Sequence, residues 1–275
     1  MSVKLNYGKF EIPERLQEVI HLQKDLDTKG LLPYGDLLGL YYDYEGVDSR
    51  YLNTPLDVIS FARPGIDGIH FGFLTDFGSV SDLHNAYIVR VSPMDFDDPV
   101  KIVARNLEDF LSIAVYTPHV LDAIELSSSP EDVEKYLKQS KEYSDENRRS
   151  VVKAVQEALQ LQPIDSLSYY LQKVNNEREE SVQFRTEDGL GVVSHIEKDA
   201  EKTHSPFQLY RGQTLDLIRV RDFFEHAPLP LKYVFLRDAQ SKALLFDDEE
   251  VKAYLKEKLY QMNLNDEAER ISWPE

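Results

Sequence analysis

The densest alternation of apolar and polar residues lies in residues 56–78, LDVISFARPGIDGIHFGFLTDFG. In an extended chain, Phe71 and Phe73 fall on one side of this stretch, whereas His70 and Gly72 fall on the other. A proline and two glycines interrupt the middle of the stretch and favour a tight reversal. The pattern therefore predicts a β-hairpin at the centre of a sheet.

The first half of the chain predicts four strands and three helices. The links between the strands are too short for helical crossovers, which favours an antiparallel meander. Apolar residues at helical spacing predict a helix over residues 13–24 and a short, tyrosine-rich helix between Pro33 and Gly46. Asn106, followed by Asp109 three residues later, indicates the start of a third helix. The predicted strands are 57–62, 69–75, 86–91 and 100–104.

The second half of the chain predicts helices followed by short hairpins, which is a second α+β pattern. Two hairpins are expected, over residues 182–196 with a turn at Asp188-Gly189 and over residues 232–246. The expected helix starts are Ser129-Pro130-Glu131-Asp132, Ser144, Asp165 and Asp247.

Three segments of the first half together resemble a known family. LPYGDLLGLYYDYEG, TPLDVISFARPGIDGIHFGFL and PVKIVARNLEDFLSIAV follow one another before residue 120. In this order they resemble the SUKH superfamily, which includes the yeast regulator of cell-wall glucan synthesis and many bacterial immunity proteins. The resemblance implies an α+β domain over residues 1–125, an antiparallel meander flanked by helices. Residues 126–275 resemble no family that we recognise and form the predicted second unit.

The net charge of the chain indicates which classes of partner it favours. The 275 residues include 31 basic and 49 acidic side chains, and the formal net charge is -18. This balance opposes binding to nucleic acid or an anionic membrane and favours a basic partner, although solubility alone is the commoner reason for such a charge.

The composition also limits the chemistry and the location of the protein. The chain has no cysteine, which excludes disulfides, thiol nucleophiles and cysteine-ligated metals. No apolar run is long enough for a membrane helix, and the N-terminus lacks the apolar core of a signal peptide. We therefore expect a cytoplasmic protein.

Potential metal ligands crowd the predicted hairpin and the loop after it. Asp67 and His70 differ in parity along the chain, so a regular strand would place them on opposite faces, and Asp-Gly pairs commonly form turns. No nucleophile elbow or phosphate-binding loop occurs in the sequence. We therefore predict a protein that is not an enzyme, with no catalytic residue, metal site or cofactor, and keep a metal-dependent hydrolase as the less favoured alternative. The residues of that alternative are Asp67, His70, Asp76, Asp82 and His84.

Two groups of basic residues could bind an anion. One is Arg211-Gly212-Gln213, and the other is the pair Arg219 and Arg221. Since the neighbouring chain is rich in carboxylates, ordinary surface salt bridges explain these residues more simply.

An acidic, tyrosine-rich window offers the clearest candidate for a binding surface. No basic residue occurs between Lys29 and Arg50. Tyrosine supplies a broad contact area at low entropic cost, and carboxylates around it would steer a cationic partner. Alternatively, Tyr41 and Tyr44 are core residues of the short helix and the acids form its solvated face. The predicted partner-binding residues are Tyr42, Asp43, Tyr44, Glu45, Asp48, Arg63 and Asp67.

The sequence thus predicts a non-enzymatic intracellular binding protein. The resemblance implies an immunity protein that neutralises a toxin, and an acidic protein could occlude the basic surface that a nuclease toxin presents to its substrate. The alternative is a regulatory scaffold of cell-wall synthesis or signalling, as the yeast relatives suggest. The oligomeric state is left open.

Overall fold

The protein has the predicted α+β fold, with two sheets and ten helices among its described residues. Within those residues, none of the helices combines the length and the apolar character needed to cross a bilayer. The computed structural model describes residues 3–46, 50–95, 98–117, 130–140, 146–193, 205–245 and 248–272.

The larger sheet confirms the predicted meander and adds one short strand at its edge. Its five strands are antiparallel and lie in chain order, so β3 is the central strand. A second, two-stranded sheet is the hairpin predicted around Asp188-Gly189. The strands are β1 (Tyr41–Tyr42), β2 (Val58–Arg63), β3 (His70–Leu74), β4 (Tyr87–Val91), β5 (Val100–Ala104), β6 (Val182–Phe184) and β7 (Val192–Val193).

The helices lie before, between and after these strands. Several begin as the sequence predicts: Asn106 caps α3 by accepting a hydrogen bond from the backbone N–H of Asp109 at 2.9 Å. Ser166 caps α6, one residue after the predicted Asp165, and Asp248 caps α9. Ser129, Ser144 and Asp247 lie outside the described residues. The helices are α1 (Val3–Tyr7), α2 (Glu14–Thr28), α3 (Leu107–Tyr116), α4 (Pro130–Ser140), α5 (Glu146–Leu159), α6 (Leu167–Ser181), α7 (Leu217–His226), α8 (Leu229–Ser241), α9 (Glu249–Gln261) and α10 (Asn265–Arg270).

One face of the larger sheet packs against α2, α3 and the helices of the middle of the chain. Phe61 and Phe73 lie with their ring centroids 4.5 Å apart, and Phe110 of α3 lies 5.1 Å from Phe71. The same apolar cluster takes in buried residues of α4, α5 and α6. Because this cluster extends past residue 125, the two predicted units share a core on this side, and the boundary itself stays a prediction.

The other face of the larger sheet packs against the β6–β7 hairpin and the C-terminal helices. Val58, Leu74 and Val89 form a buried cluster with Leu190 of the hairpin. From the ends of β2 and β3, Leu56 and Phe77 reach into the cluster formed by α7, α8 and α9. The sheet is therefore the central layer of three.

Five buried charged residues join this second face of the sheet to the C-terminal half, and we name them the buried charge network: Asp57, Asp76, Asp188, Arg178 and Arg237. Arg178 donates two hydrogen bonds of 2.7 Å to the two carboxylate oxygens of Asp76. Arg237 donates to Asp57 at 2.6 Å and to Asp188 at 3.2 Å. Each carboxylate thus has an arginine partner from a different part of the chain.

The electrostatics of the network follow from its burial. Loss of hydration raises the pKa of Asp57, and the nearby charge of Arg237 only partly opposes this effect. Burial alone would lower the pKa of Arg237, but the carboxylates of Asp57, Asp188 and Asp76 raise it above its ordinary value. Arg237 therefore stays charged despite its burial.

The predicted helix between Pro33 and Gly46 is wrong. Gly35 and Gly39 adopt φ angles of 77° and 88°, and Leu38 adopts 58°, so the backbone repeatedly takes the left-handed conformation that breaks a right-handed helix. The chain then enters β1 and pairs with β2. Tyr41 and Tyr42 form β1 and therefore project from opposite faces of the sheet.

The predicted hairpin over residues 232–246 is also wrong, because this segment lies mostly in α8. The segment contains alternating apolar residues, but Leu231, Val234 and Phe235 also fit a helical stripe, and all three are buried. Pro230 lies in the first turn of α8, where its missing N–H costs nothing. Packing against α7 and α9 favours the helical alternative.

Candidate functional site

The candidate site lies around the loop between β2 and β3. We name it the hairpin surface, defined as loop residues 63–68 together with Tyr34, Tyr41, Asp43 and Tyr51. The hydroxyl of Tyr41 donates to the backbone carbonyl of Tyr34 at 3.0 Å. This contact fixes the turn around residue 34 beside the hairpin loop.

Two tyrosine rings flank the loop and hold it in place. A Cβ atom added at Gly65 would lie 3.1 Å from the ring of Tyr41, and one added at Gly68 would lie 2.5 Å from the ring of Tyr51. Gly65 and Gly68 also have positive φ angles, 79° and 70°, which favour glycine. The loop backbone is therefore packed directly against the two rings.

Large apolar side chains are exposed on the hairpin surface. The exposed fraction is 81% for Tyr34 and 59% for Ile66, and Tyr51 is 39% exposed while its ring stacks on His70. Aromatic and aliphatic side chains that project from an ordered loop are suited to protein contacts. The surface can therefore bury apolar area on binding a partner.

Two carboxylates, those of Asp43 and Asp67, belong to the hairpin surface. Asp43 forms an ion pair with Arg63 and accepts a hydrogen bond from the backbone N–H of Gly46 at 2.6 Å. Glu45 and Asp67 are exposed. The surroundings of the hairpin loop are thus acidic, with Arg63 held against one of the acids.

The structure brings only some of the predicted partner-binding residues to this surface. Asp43, Arg63 and Asp67 belong to it, whereas the exposed Glu45 follows β1 in the direction that leads away from the hairpin loop. Tyr42 is a correction: only 4% of it is exposed, because alternation along β1 turns its ring towards Phe61. Burial accordingly raises the pKa of Tyr42.

Neither Tyr44 nor Asp48, two further predicted residues, can be assigned to this surface. Tyr44 is half-buried and packs against the large apolar cluster, and its backbone carbonyl accepts a hydrogen bond from Asn6 at 3.1 Å. Asp48 lies outside the described residues. The sequence interpretation assumed a helix, and it therefore placed Tyr41 in the core and Tyr42 on the binding surface. In the structure Tyr42 is buried and Tyr41 flanks the loop. A strand assignment would have separated them by parity.

The potential metal ligands of the hairpin do not converge. His70 is fully buried, with its ring nitrogens 2.8 Å from the carbonyl of Gly68 and 3.2 Å from the hydroxyl of Thr54. Burial lowers the pKa of His70 to about 4. Asp76 belongs to the buried charge network, and Asp82 caps a short helical turn. Among the described residues, no group of three or more histidines and carboxylates is arranged to hold a metal ion.

A cleft of about 680 Å³ opens beside the hairpin surface, and Tyr51 belongs to both. Residues 51–53, 93–94, 211–215, 241–244 and 248 line it, which are five separate parts of the chain, so no local sequence pattern could have predicted it. Of its residues, Arg211, Gly212 and Gln213 are the group that the sequence offered as a possible anion site. The lining residues are Tyr51, Leu52, Asn53, Pro93, Met94, Arg211, Gly212, Gln213, Thr214, Leu215, Ser241, Lys242, Ala243, Leu244 and Asp248.

Comparison with known proteins adds no assignment to this geometry. No protein-family model matches the chain, and no curated protein matches it.

Proposed function

We propose that this protein is a non-enzymatic binding protein that holds a basic protein partner on its hairpin surface. The observation that carries the proposal is the exposure of Ile66 on the ordered hairpin loop and of Tyr34 on the turn beside it, next to Asp43 and Asp67. Apolar anchors inside a charged rim are the usual arrangement of a protein-binding patch.

The order of the loop supports this role. Tyr41 and Tyr51 pack against its glycines, so the loop loses little conformational entropy when a partner binds. The ion pair between Asp43 and Arg63 fixes the neighbouring edge of the sheet. A partner would therefore meet a largely preformed surface.

Charge supports a basic partner. The chain carries a formal net charge of -18, and Asp67 is exposed on the hairpin loop beside Ile66. Such a field accelerates encounter with a cationic surface and makes the association rate depend on salt.

We further propose that the partner is a toxin that the protein neutralises. This step rests on the resemblance of the first half of the chain to the SUKH superfamily. A toxin that acts on nucleic acid needs a basic surface, and this acidic patch would cover it.

Affinity capture with purified protein as bait tests the surface. Ile66→Asp places a charge where an apolar anchor would enter the partner, whereas Ile218→Asp makes the same change on α7, at a side chain that is 80% exposed. We expect the partner to be retained by the wild type and by Ile218→Asp, and to be lost by Ile66→Asp. Equal retention by the two variants would contradict the proposed surface.

The captured partner then tests the charge and the function. We expect affinity to fall as salt rises, and the fall to be shallower for a variant carrying Glu45→Gln and Asp67→Asn. Expressed alone the partner should stop growth, and coexpression of this protein should restore it. A set of harmless partners would support a regulatory scaffold and overturn toxin neutralisation.

A further inference from the structure

Exposed apolar side chains extend from the hairpin loop to the cleft beside it. Tyr51 joins the two, because its ring lies against Gly68 of the loop and also lines the cleft. Leu52 and Met94 line the cleft as well, and they are 36% and 68% exposed. A partner that contacts the hairpin loop therefore meets further apolar side chains at the cleft.

The topology of the sheet explains why the loop and the cleft are neighbours. His70, the first residue of β3, pairs with Val91, the last residue of β4. The loop before β3 and the segment after β4, which contains Met94, therefore leave the sheet at the same end. Asn53, another residue of the cleft lining, donates from its side-chain amide to the backbone carbonyl of Pro93 at 3.1 Å. The cleft is thus held in place beside the hairpin loop.

The charged residues of the cleft already interact within the protein. Lys242 pairs with Glu187 at 3.2 Å, and Asp248 accepts a hydrogen bond from the backbone N–H of Val251 at 3.0 Å. Arg211 also takes part in an interaction within the protein. Binding in the cleft therefore depends mainly on its apolar side chains.

The size of the hairpin surface also favours a larger contact area. A stable protein interface uses about 20–30 residues on each side. The hairpin surface has fewer residues than this, and the residues of the cleft bring the total into that range. The cleft has a volume of about 680 Å³, and Leu215 and Leu244 are buried in its lining. A large apolar side chain that enters it is therefore removed from water.

We propose that the partner held on the hairpin surface inserts a large aromatic or aliphatic side chain into this cleft. This role rests on the proposed function and adds to it the kind of residue that the partner must present. Apolar anchors that fill a pocket contribute much of the binding free energy in protein interfaces. The fitting partner carries such a side chain next to the basic residues that meet Asp67.

Nile red, an uncharged dye whose fluorescence rises in apolar surroundings, tests whether the cleft of the full chain accepts an apolar group. We expect saturable binding by the wild type and by Ile66→Asp, and binding at least about tenfold weaker by the double variant Leu52→Asp and Met94→Asp. Ile218→Asp is the matched control at an exposed side chain of α7, and circular dichroism checks the folding of each variant. Absence of saturable binding by the wild type, or wild-type affinity in the folded double variant, would overturn the proposal.

The partner captured on the wild type then tests what occupies the cleft. We expect it to displace Nile red and to bind Met94→Asp at least about tenfold more weakly than the wild type or Ile218→Asp. Replacing one large apolar residue of the partner by alanine should cause a similar loss. This loss should largely disappear when the alanine variant is measured against Met94→Asp, because both changes remove the same contact.

The outcomes separate this role of the cleft from the proposed function. A partner that is lost by Ile66→Asp but neither displaces Nile red nor binds Met94→Asp more weakly would overturn the role of the cleft and leave the proposed function standing. A partner that Ile66→Asp retains at full affinity would contradict the proposed function itself, and with it the role of the cleft.

Discussion

The protein uses the same chemistry, an aspartate paired with an arginine, in two very different places. On the hairpin surface, the side chains of Arg63 and Asp43 are 26% and 30% exposed. In the buried charge network, those of Arg237 and Asp57 are 1% and 0% exposed. Burial therefore decides how much such a pair contributes to the stability of the fold.

The energetic difference follows from hydration. The Arg63–Asp43 pair keeps part of its contact with water, and water can replace a lost partner, so breaking it is expected to cost less than about 1 kcal/mol. A buried carboxylate that loses its partner keeps an uncompensated charge away from water, which costs about 3–5 kcal/mol. Breaking each pair with the same substitution makes the comparison direct.

Arg237→Met should have the largest effect. It leaves Asp57 and Asp188 without the guanidinium that both contact, so we expect a loss of about 3–5 kcal/mol in the free energy of unfolding. Urea unfolding at neutral pH, followed by circular dichroism, measures this loss. The added change Asp57→Asn should recover part of it, since the amide carries no charge. A loss below about 1 kcal/mol would show that the network does not hold the two halves together.

Gly68→Ala tests whether the hairpin surface is ordered by its own packing. Gly68 has a φ of 70° and lies against the ring of Tyr51, so alanine meets both backbone strain and a collision. Gly30 has a φ of 72° with open space around it, and Gly30→Ala is the matched control. We expect a loss of about 1–2 kcal/mol for Gly30→Ala and a larger loss for Gly68→Ala. Equal losses would mean that Tyr51 moves aside freely.

The pH dependence of the free energy of unfolding tests whether burial raises the pKa of Asp238, a residue of α8 outside the buried charge network. Burial raises the pKa of Asp238 from 3.8 to about 7, and the charges of Asp188 and Glu187 act in the same direction. The folded protein therefore binds this proton more tightly than the unfolded chain does. The stabilising contribution is complete below pH 3.8 and is lost as the pH rises through about 7.

Asp238→Asn removes this titration and keeps an oxygen that can accept from the backbone N–H of Glu187. The stability of Asp238→Asn relative to the wild type should increase as the pH rises from 4 to 7. Urea unfolding at several pH values measures the difference, and Asp27→Asn at an exposed position of α2 is the control. A difference that stays constant over this range would contradict the raised pKa.

The sequence predicted the elements whose signals are local. The alternation around Phe71 and Phe73 predicted the central hairpin, and Asn106 marked the start of α3, because side-chain parity and capping act over a few residues. The helix predicted between Pro33 and Gly46 is wrong, because the spacing of apolar residues does not distinguish a helix from a loop with positive φ angles.

Features that join distant segments could not be predicted in the same way. Arg237 meets Asp57 across 180 positions, and the segment around Arg237 even suggested a hairpin. On the hairpin surface, Asp43 and Asp67 were recognised as candidates from composition, whereas the roles of Tyr41 and Tyr42 required knowledge of the strand. Buried pairs and clefts depend on the fold as a whole, which a local pattern does not contain.

Arg63→Met completes the comparison and should have the smallest effect on stability. Asp43 remains held by the backbone N–H of Gly46, and water replaces the lost guanidinium, so we expect a loss below about 1 kcal/mol in the same urea measurement. The change also makes the hairpin surface more acidic. If this surface binds a basic partner, the association rate of Arg63→Met should increase and fall more steeply with salt than that of the wild type. A loss of stability as large as that of Arg237→Met would mean that exposure does not separate the two pairs.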